Sequence, residues 1–141
     1  MEIKKLRVNG LRLRKTLEEM AKIGATTGGG VDRLALSDED REGRNLFLKW
    51  LGEMNLEITI DELGNIFGRR AGREKQLPPV MAGSHIDSQP KGGRFDGILG
   101  VMGALEVLRT IHENKMETLR PLVIVNWTNE EGSRFSPAMT G

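Results

Sequence analysis

Hydrophobic residues recur with helical spacing in three stretches of the chain. The first runs from about Leu11 to Ile23, with Asn9 available as a cap. The second starts at Ser37, and the acidic residues Asp38 to Asp40 suit the positive end of a helix. The third runs from Gly97 to about Asn114. The apolar stripes comprise Leu13, Leu17 and Met20; then Leu46, Phe47, Trp50, Leu51 and Met54; and finally Leu99, Met102, Leu105, Leu108 and Ile111. The pattern therefore predicts three helices, each packed by one face.

Shorter apolar stretches between these helices have the character of strands. Leu56 to Ile60 alternates, and Gly64-Asn65 predicts a turn before a second strand at Ile66 to Arg69, which together indicate a hairpin. Two further apolar runs, Pro79 to Ser84 and Pro121 to Thr128, flank the third helix. Strand, helix and strand in this order predict a parallel pair with a crossover helix. The predicted fold class is α/β, a mixed sheet flanked by helices, with polar residues at strand ends where such sheets bind ligands.

Composition narrows the function classes. A net charge of +1 with 29% charged residues gives no reason to expect a nucleic acid or an anionic membrane as partner. Because there is no cysteine, a metal would have to use histidine and carboxylate ligands, and the cytoplasm is the expected compartment. Basic and apolar residues alternate from Met1 to Leu17 without the continuous apolar stretch of a signal peptide.

Two segments that follow predicted strands concentrate the reactive side chains. They are Gly83 to Gly97 (GSHIDSQPKGGRFDG) and Asn126 to Phe135 (NWTNEEGSRF). His85 and Asp87 lie two positions apart and share one side of an extended chain, so Asp87 could orient the imidazole or bind a metal itself. Taken alone, a histidine at a strand end is more often a hydrogen-bonded structural residue, and adjacent glutamates are more often surface charge.

The neighbouring acids favour a metal site over these structural interpretations. Asp96 lies beside glycines, and Glu130 and Glu131 directly follow a buried strand, where an uncompensated acid is costly. One histidine with several carboxylates at one sheet edge suits a hydrolytic pair of divalent metals, with a spare carboxylate as general base. In extended chain, Glu130 and Glu131 would point to opposite sides and so take different roles. By contrast, His112 lies near a predicted helix end, which favours a structural role.

At this point the sequence resembles a known family. The segments GSHIDSQPKGGRFDG from Gly83 and NEEGSRF from Asn129 resemble the zinc-dependent amidohydrolases that act on N-carbamoyl amino acids, β-ureidopropionate and allantoate. This family is a branch of the aminoacylase and di-zinc carboxypeptidase clan. DELGNIFGR from Asp61 is a looser match, and the resemblance extends from RLALSDED at Arg33 to the end.

The resemblance implies a role for each candidate residue. His85 would bind one metal, Asp96 would bridge both, and Glu131 would bind a metal. Glu130 would be the catalytic base, and Asp87 would orient His85. The implied cofactor is a pair of divalent metal ions, zinc by default, although manganese, cobalt or nickel also suit such nitrogen and oxygen ligands.

The implied reaction is hydrolysis of a linear ureido or amide C–N bond in a small molecule, with N-carbamoyl-L-amino acids as the first substrates to consider. Two alternatives stay open: an aminopeptidase or aminoacylase of the same clan, and a folded unit without catalysis. Family members are longer homodimeric chains, so residues 1–141 are expected to be the N-terminal portion of the catalytic domain. The dimerisation domain, the rest of the catalytic domain and two histidine ligands would be absent. The isolated chain is therefore expected to be inactive and to bind metal weakly.

Overall fold

The structure, a computed structural model, describes residues 6–141; the first five residues of the basic and apolar N-terminal segment lie outside it. The elements follow one another as α1 (Gly10–Met20), α2 (Asp38–Gly52), β1 (Glu57–Ile60), β2 (Ile66–Arg70), β3 (Val80–His85), α3 (Ile98–Glu113) and β4 (Leu122–Trp127). The strands form one sheet in the order β1-β2-β4-β3. Strand β2 pairs antiparallel with β1 and β4, whereas β3 and β4 are parallel. The α/β class, the hairpin and the parallel pair are thus confirmed.

Both predicted helix caps are present. The side chain of Asn9 accepts a hydrogen bond from the Arg12 backbone N–H at 3.0 Å, and the Ser37 hydroxyl accepts one from the Asp40 N–H at 3.2 Å. Each cap satisfies a backbone donor that the first turn leaves free. Helix α1 ends at Met20, earlier than the predicted Ile23, and the chain continues in turns.

The hydrophobic core joins all three helices to one face of the sheet. Its buried members are Met20, Ile23, Phe47, Trp50, Leu51, Met54, Ile66, Ile86, Ile98, Val101, Met102, Leu105, Leu108 and Ile124. The stripe predicted for α2 is buried, apart from Leu46, which is partly buried. On α3 the prediction for Leu99 is wrong, because this side chain is 53% exposed while Ile98 and Val101 are buried. The residue lies beside the edge strand β3, where no further strand or helix of the described chain covers it.

The parallel pairing brings the two polar segments to one edge of the sheet. His85 is in register with Trp127, so the chain leaves β3 and β4 at the same level. Helix α3 follows the first of these segments and packs against both strands. Among residues 6–141, no helix combines the length and the apolar character needed to cross a membrane.

Candidate metal centre

His85 is the buried residue around which the site is built. It ends β3 with 5% of its surface exposed, and its Nδ1 lies 2.9 Å from the backbone carbonyl oxygen of Asp87. A carbonyl only accepts hydrogen bonds, so this contact places a hydrogen on Nδ1. Nε2 faces the Glu130 carboxylate at 3.3 Å. In the neutral ring, Nε2 is therefore the nitrogen that could bind a metal.

In the metal-free chain the surroundings of His85 favour its protonated form. Burial lowers the pKa of His85, but its hydrogen bonds to Asp87 and the charges of Asp87 and Glu130 outweigh burial and raise the pKa from 6.5 to about 9. A metal at Nε2 must therefore displace a proton at neutral pH.

The stability of the metal-free chain should consequently fall as the pH rises from 6.5 to about 9. A pKa raised by folding contributes stability that is complete below the unfolded value and disappears above the folded value. The expected loss is roughly 3 kcal/mol at most. Urea unfolding across this pH range, with His85→Asn as the control, measures it. Parallel pH profiles for the two proteins would contradict the raised pKa of His85.

Gly97 allows the histidine ring to take this position, a role that the sequence analysis did not assign. A Cβ at Gly97 would lie 2.5 Å from both Cε1 and Nε2 of His85. The residue also has a left-handed backbone with φ of 64°, which disfavours side chains. The signal in the sequence was its place directly after Asp96, at the start of the predicted helix.

Gly97→Ala should lower the free energy of unfolding by roughly 2–4 kcal/mol and displace the His85 ring, because it adds steric overlap to backbone strain. Gly103→Ala is the matched control on the same helix, since nothing lies within 4 Å of its Cβ position. That control should be neutral or stabilising by up to about 1 kcal/mol. Urea unfolding of both variants checks the prediction, which fails if they are equally stable.

Asp87 holds the other side of the site. Its buried carboxylate accepts hydrogen bonds from the backbone N–H groups of Glu130 and Glu131, both at 3.2 Å. The same carboxylate lies 3.6 Å from Nδ1 of His85, farther than the Asp87 carbonyl oxygen. Of the two roles open in the sequence analysis, this geometry favours orientation of His85 over metal binding, through the main chain as well as the side chain.

The expectation that Glu130 and Glu131 point to opposite sides is wrong. Together with His85, each offers a potential ligand atom, and these atoms all lie within 4.8 Å of one another. The chain is not extended here, because Asn129 has a left-handed φ of 55° and both glutamate N–H groups turn towards Asp87. Both carboxylates therefore lie within reach of an ion bound at Nε2 of His85.

Asp96 lies in the exposed loop before α3 and interacts with Glu131. It is not part of the cluster formed by the ligand atoms of His85, Glu130 and Glu131. Burial and the neighbouring Asp96 carboxylate raise the pKa of Glu131, while Gln89 and His85 oppose this effect. Gln89 donates from Nε2 to the Glu131 carboxylate at 2.8 Å. The Asp96 carboxylate disfavours the charged form of Glu131, and a cation shared by the two side chains would relieve this effect. The structure thus brings His85, Glu130 and Glu131 together, with Asp96 beside them.

Asn65 supports the site, although the sequence predicted only a turn at this position. It is buried, and its Oδ1 accepts a hydrogen bond from the Thr128 backbone N–H at 2.8 Å. Its Nδ2 donates to Asp61, which also accepts the Asn65 backbone N–H. The β1–β2 turn is thereby tied to the residues that precede Glu130. The looser motif DELGNIFGR was the signal that could have indicated this.

Comparison with known proteins now adds to the geometry. Residues 81–141 match Peptidase family M20/M25/M40. This segment is similar to that family. It contains all five candidate residues, whereas the supporting residue Asn65 lies before it in the chain.

The M20/M25/M40 segment lies within a longer region of similarity. An N-carbamoyl-L-amino-acid amidohydrolase of Rhizobium meliloti is 50% identical, covering 94% of this chain and 32% of the relative. The enzyme of that name from Pseudomonas sp. (strain NS671) is 42% identical, with 99% and 34% covered. A ureidoglycolate hydrolase of Oryza sativa subsp. japonica is 35% identical, with 92% and 27% covered. The chain therefore spans about a third of the length of these relatives.

Solved structures agree with this similarity. The chain superposes on a hydantoinase/carbamoylase family amidase from Burkholderia ambifaria with a TM-score of 0.92 and 53% identity, over 94% of this chain and 33% of that one. A tripeptidase from Staphylococcus aureus shares the fold alone, with a TM-score of 0.68 and 18% identity over 89% of this chain and 38% of that one.

Proposed function

We propose that residues 1–141 form the N-terminal portion of the catalytic domain of a metal-dependent amidohydrolase, with N-carbamoyl-L-amino acids as substrates. The observation that carries this proposal is the convergence of His85, Glu130 and Glu131 at the ends of two parallel strands. The substrate class is supported by the relatives, since those named for N-carbamoyl-L-amino acids are 50% and 42% identical and the ureidoglycolate hydrolase 35%.

The donor set fits divalent metal ions. One imidazole nitrogen and several carboxylate oxygens suit zinc, and manganese, cobalt or nickel could take the same ligands. In this proposal two ions would be held, with His85 Nε2 and Glu131 as ligands and Asp96 as the residue shared by both. When bound, such ions polarise a substrate carbonyl and lower the pKa of water.

The chain's own residues then perform the proton transfers. Glu130, whose side chain is 36% exposed and so accessible to substrate, takes a proton from the water that adds to the carbamoyl carbon. It passes this proton to the amino-acid nitrogen as the C–N bond breaks. The amino acid leaves, and the remaining carbamate releases carbon dioxide and ammonia. Throughout, the Asp87 carbonyl keeps the His85 ring oriented.

For the whole protein, the resemblance supports a homodimer that acts on a small molecule, and the composition supports a cytoplasmic protein without nucleic acid or membrane partners. These properties are part of the proposal. The rest of the catalytic domain and a dimerisation domain would complete such an enzyme.

A pair of chimeras tests the proposed reaction. In one, residues 1–141 replace the matching stretch of the Rhizobium meliloti amidohydrolase, and in the other that of the Oryza sativa ureidoglycolate hydrolase. We expect the first to retain more of its parent's kcat/KM than the second, with Glu130→Gln in each as the inactive control. The substrate panel includes N-carbamoyl, N-acetyl and dipeptide substrates.

The remaining outcomes identify the alternatives. If the first chimera, unlike its parent, preferred N-acetyl or dipeptide substrates to N-carbamoyl substrates, this would support an aminoacylase or aminopeptidase. Folded, metal-loaded chimeras without any turnover would support a non-catalytic unit.

A further inference from the structure

Arg33 is a fully buried cation that directly contacts the segment carrying His85 and Asp87. Its guanidinium donates from Nε to the Ile86 carbonyl oxygen at 2.8 Å. It also donates from Nη1 to the carbonyl oxygens of Ile23 at 2.7 Å and Met20 at 3.2 Å. The side chain thus connects the end of α1 to the residue that lies between His85 and Asp87.

The main chain of Arg33 holds the residue on the other side of Asp87. Its N–H donates to the Ser88 hydroxyl at 2.9 Å, and its carbonyl oxygen accepts the Ser88 N–H at 2.8 Å. Ser88 is buried as well. Both neighbours of Asp87 in the sequence, Ile86 and Ser88, are therefore bound to this one arginine.

The charge arrangement around Arg33 is unusual. A buried arginine is normally paired with a carboxylate, yet every hydrogen bond of this guanidinium within residues 6–141 goes to a backbone carbonyl. Burial lowers the pKa of Arg33, and the charges of Asp40 and Asp87 oppose this effect from a distance. The Asp87 carboxylate is consequently attracted by a positive charge while its oxygens stay available for the N–H groups of Glu130 and Glu131.

We propose that Arg33 is a positioning residue of the metal centre: it fixes the backbone on both sides of Asp87, and Asp87 in turn fixes Glu130 and Glu131. The purpose of this positioning by Arg33 rests on the function proposed above. Its test does not, because the positions of the two glutamates can be measured without turnover.

The experiment compares Arg33→Met and Arg33→Lys in the 141-residue chain by the ¹H–¹⁵N amide signals of Glu130 and Glu131, followed during titration with Zn²⁺. Arg33→Met should shift both signals and raise the zinc dissociation constant roughly 10-fold or more. Arg33→Lys should cause smaller changes in both the amide signals and the zinc dissociation constant, because the ammonium keeps the charge and one carbonyl contact. The matched control is Arg109→Met. Arg109 lies in the C-terminal half of α3, is largely buried and donates to the Thr16 hydroxyl on α1.

Unchanged Glu130 and Glu131 signals in folded Arg33→Met, or shifts no larger than those in Arg109→Met, would overturn the proposal. If Arg33→Met does not fold, Ser88→Ala decides, because it removes only the hydroxyl that accepts the Arg33 N–H and donates to the Val31 carbonyl oxygen. Folded Ser88→Ala must shift the same two signals, and the proposal fails if it does not. Should the proposed reaction be wrong, the chimeras would be inactive or would prefer N-acetyl or dipeptide substrates, while these amide effects persisted.

Discussion

Glu130→Gln should lower the single-turnover rate by roughly two to four orders of magnitude in the active chimera while leaving its metal content unchanged. The amide cannot accept the proton of the attacking water, but it keeps the size of the side chain. Rapid-quench measurement of one turnover, beside metal analysis of the same sample, gives both quantities.

Glu131→Gln should instead lower the metal content, because its carboxylate lies beside Asp96 and is proposed as a ligand. The exposed Glu117→Gln is the control for loss of one negative charge. Since the structure places both glutamates within reach of one metal, the comparison of the two variants decides their roles. Metal loss from Glu130→Gln, together with full metal content and a lost single-turnover rate in Glu131→Gln, would reverse the assignment.

Asp87→Ala should cost about 3–5 kcal/mol of stability and roughly 10- to 100-fold in metal affinity. The substitution leaves the N–H groups of Glu130 and Glu131 without their acceptor and removes the carboxylate beside His85. Urea unfolding and Zn²⁺ titration of the 141-residue chain measure the two losses.

Asp40→Ala is the matched control for this variant. Asp40 is also buried, and its carboxylate accepts a hydrogen bond from the Leu36 backbone N–H at 2.9 Å. It is not part of the cluster formed by His85, Glu130 and Glu131. The Asp40→Ala variant should lose stability and keep its metal affinity. Equal losses of affinity in the two variants would mean that Asp87 acts on the metal centre only through the general stability of the fold.

The sequence by itself determined the elements that depend on local chemistry. Asn9 and Ser37 marked the starts of α1 and α2, because a cap is a contact across three residues. Strand, helix and strand predicted the parallel β3–β4 pair and hence the edge at which His85 and Glu130 meet. The candidate residues followed from the motifs at those strand ends, since they lie within two short segments.

Only the tertiary structure decided the features that depend on residues distant in sequence. The position of β4 beside β2 joins Ile66–Arg70 to residues more than 50 positions later, and no local pattern specifies that pairing. Leu99 is exposed because β3 is an edge strand, which periodicity within a helix does not reveal. Glu130 and Glu131 face the same site because Asp87, 43 and 44 positions earlier, binds their N–H groups. The alternation of side chains that predicted opposite directions holds only for extended backbone, and these long-range hydrogen bonds select a different backbone conformation.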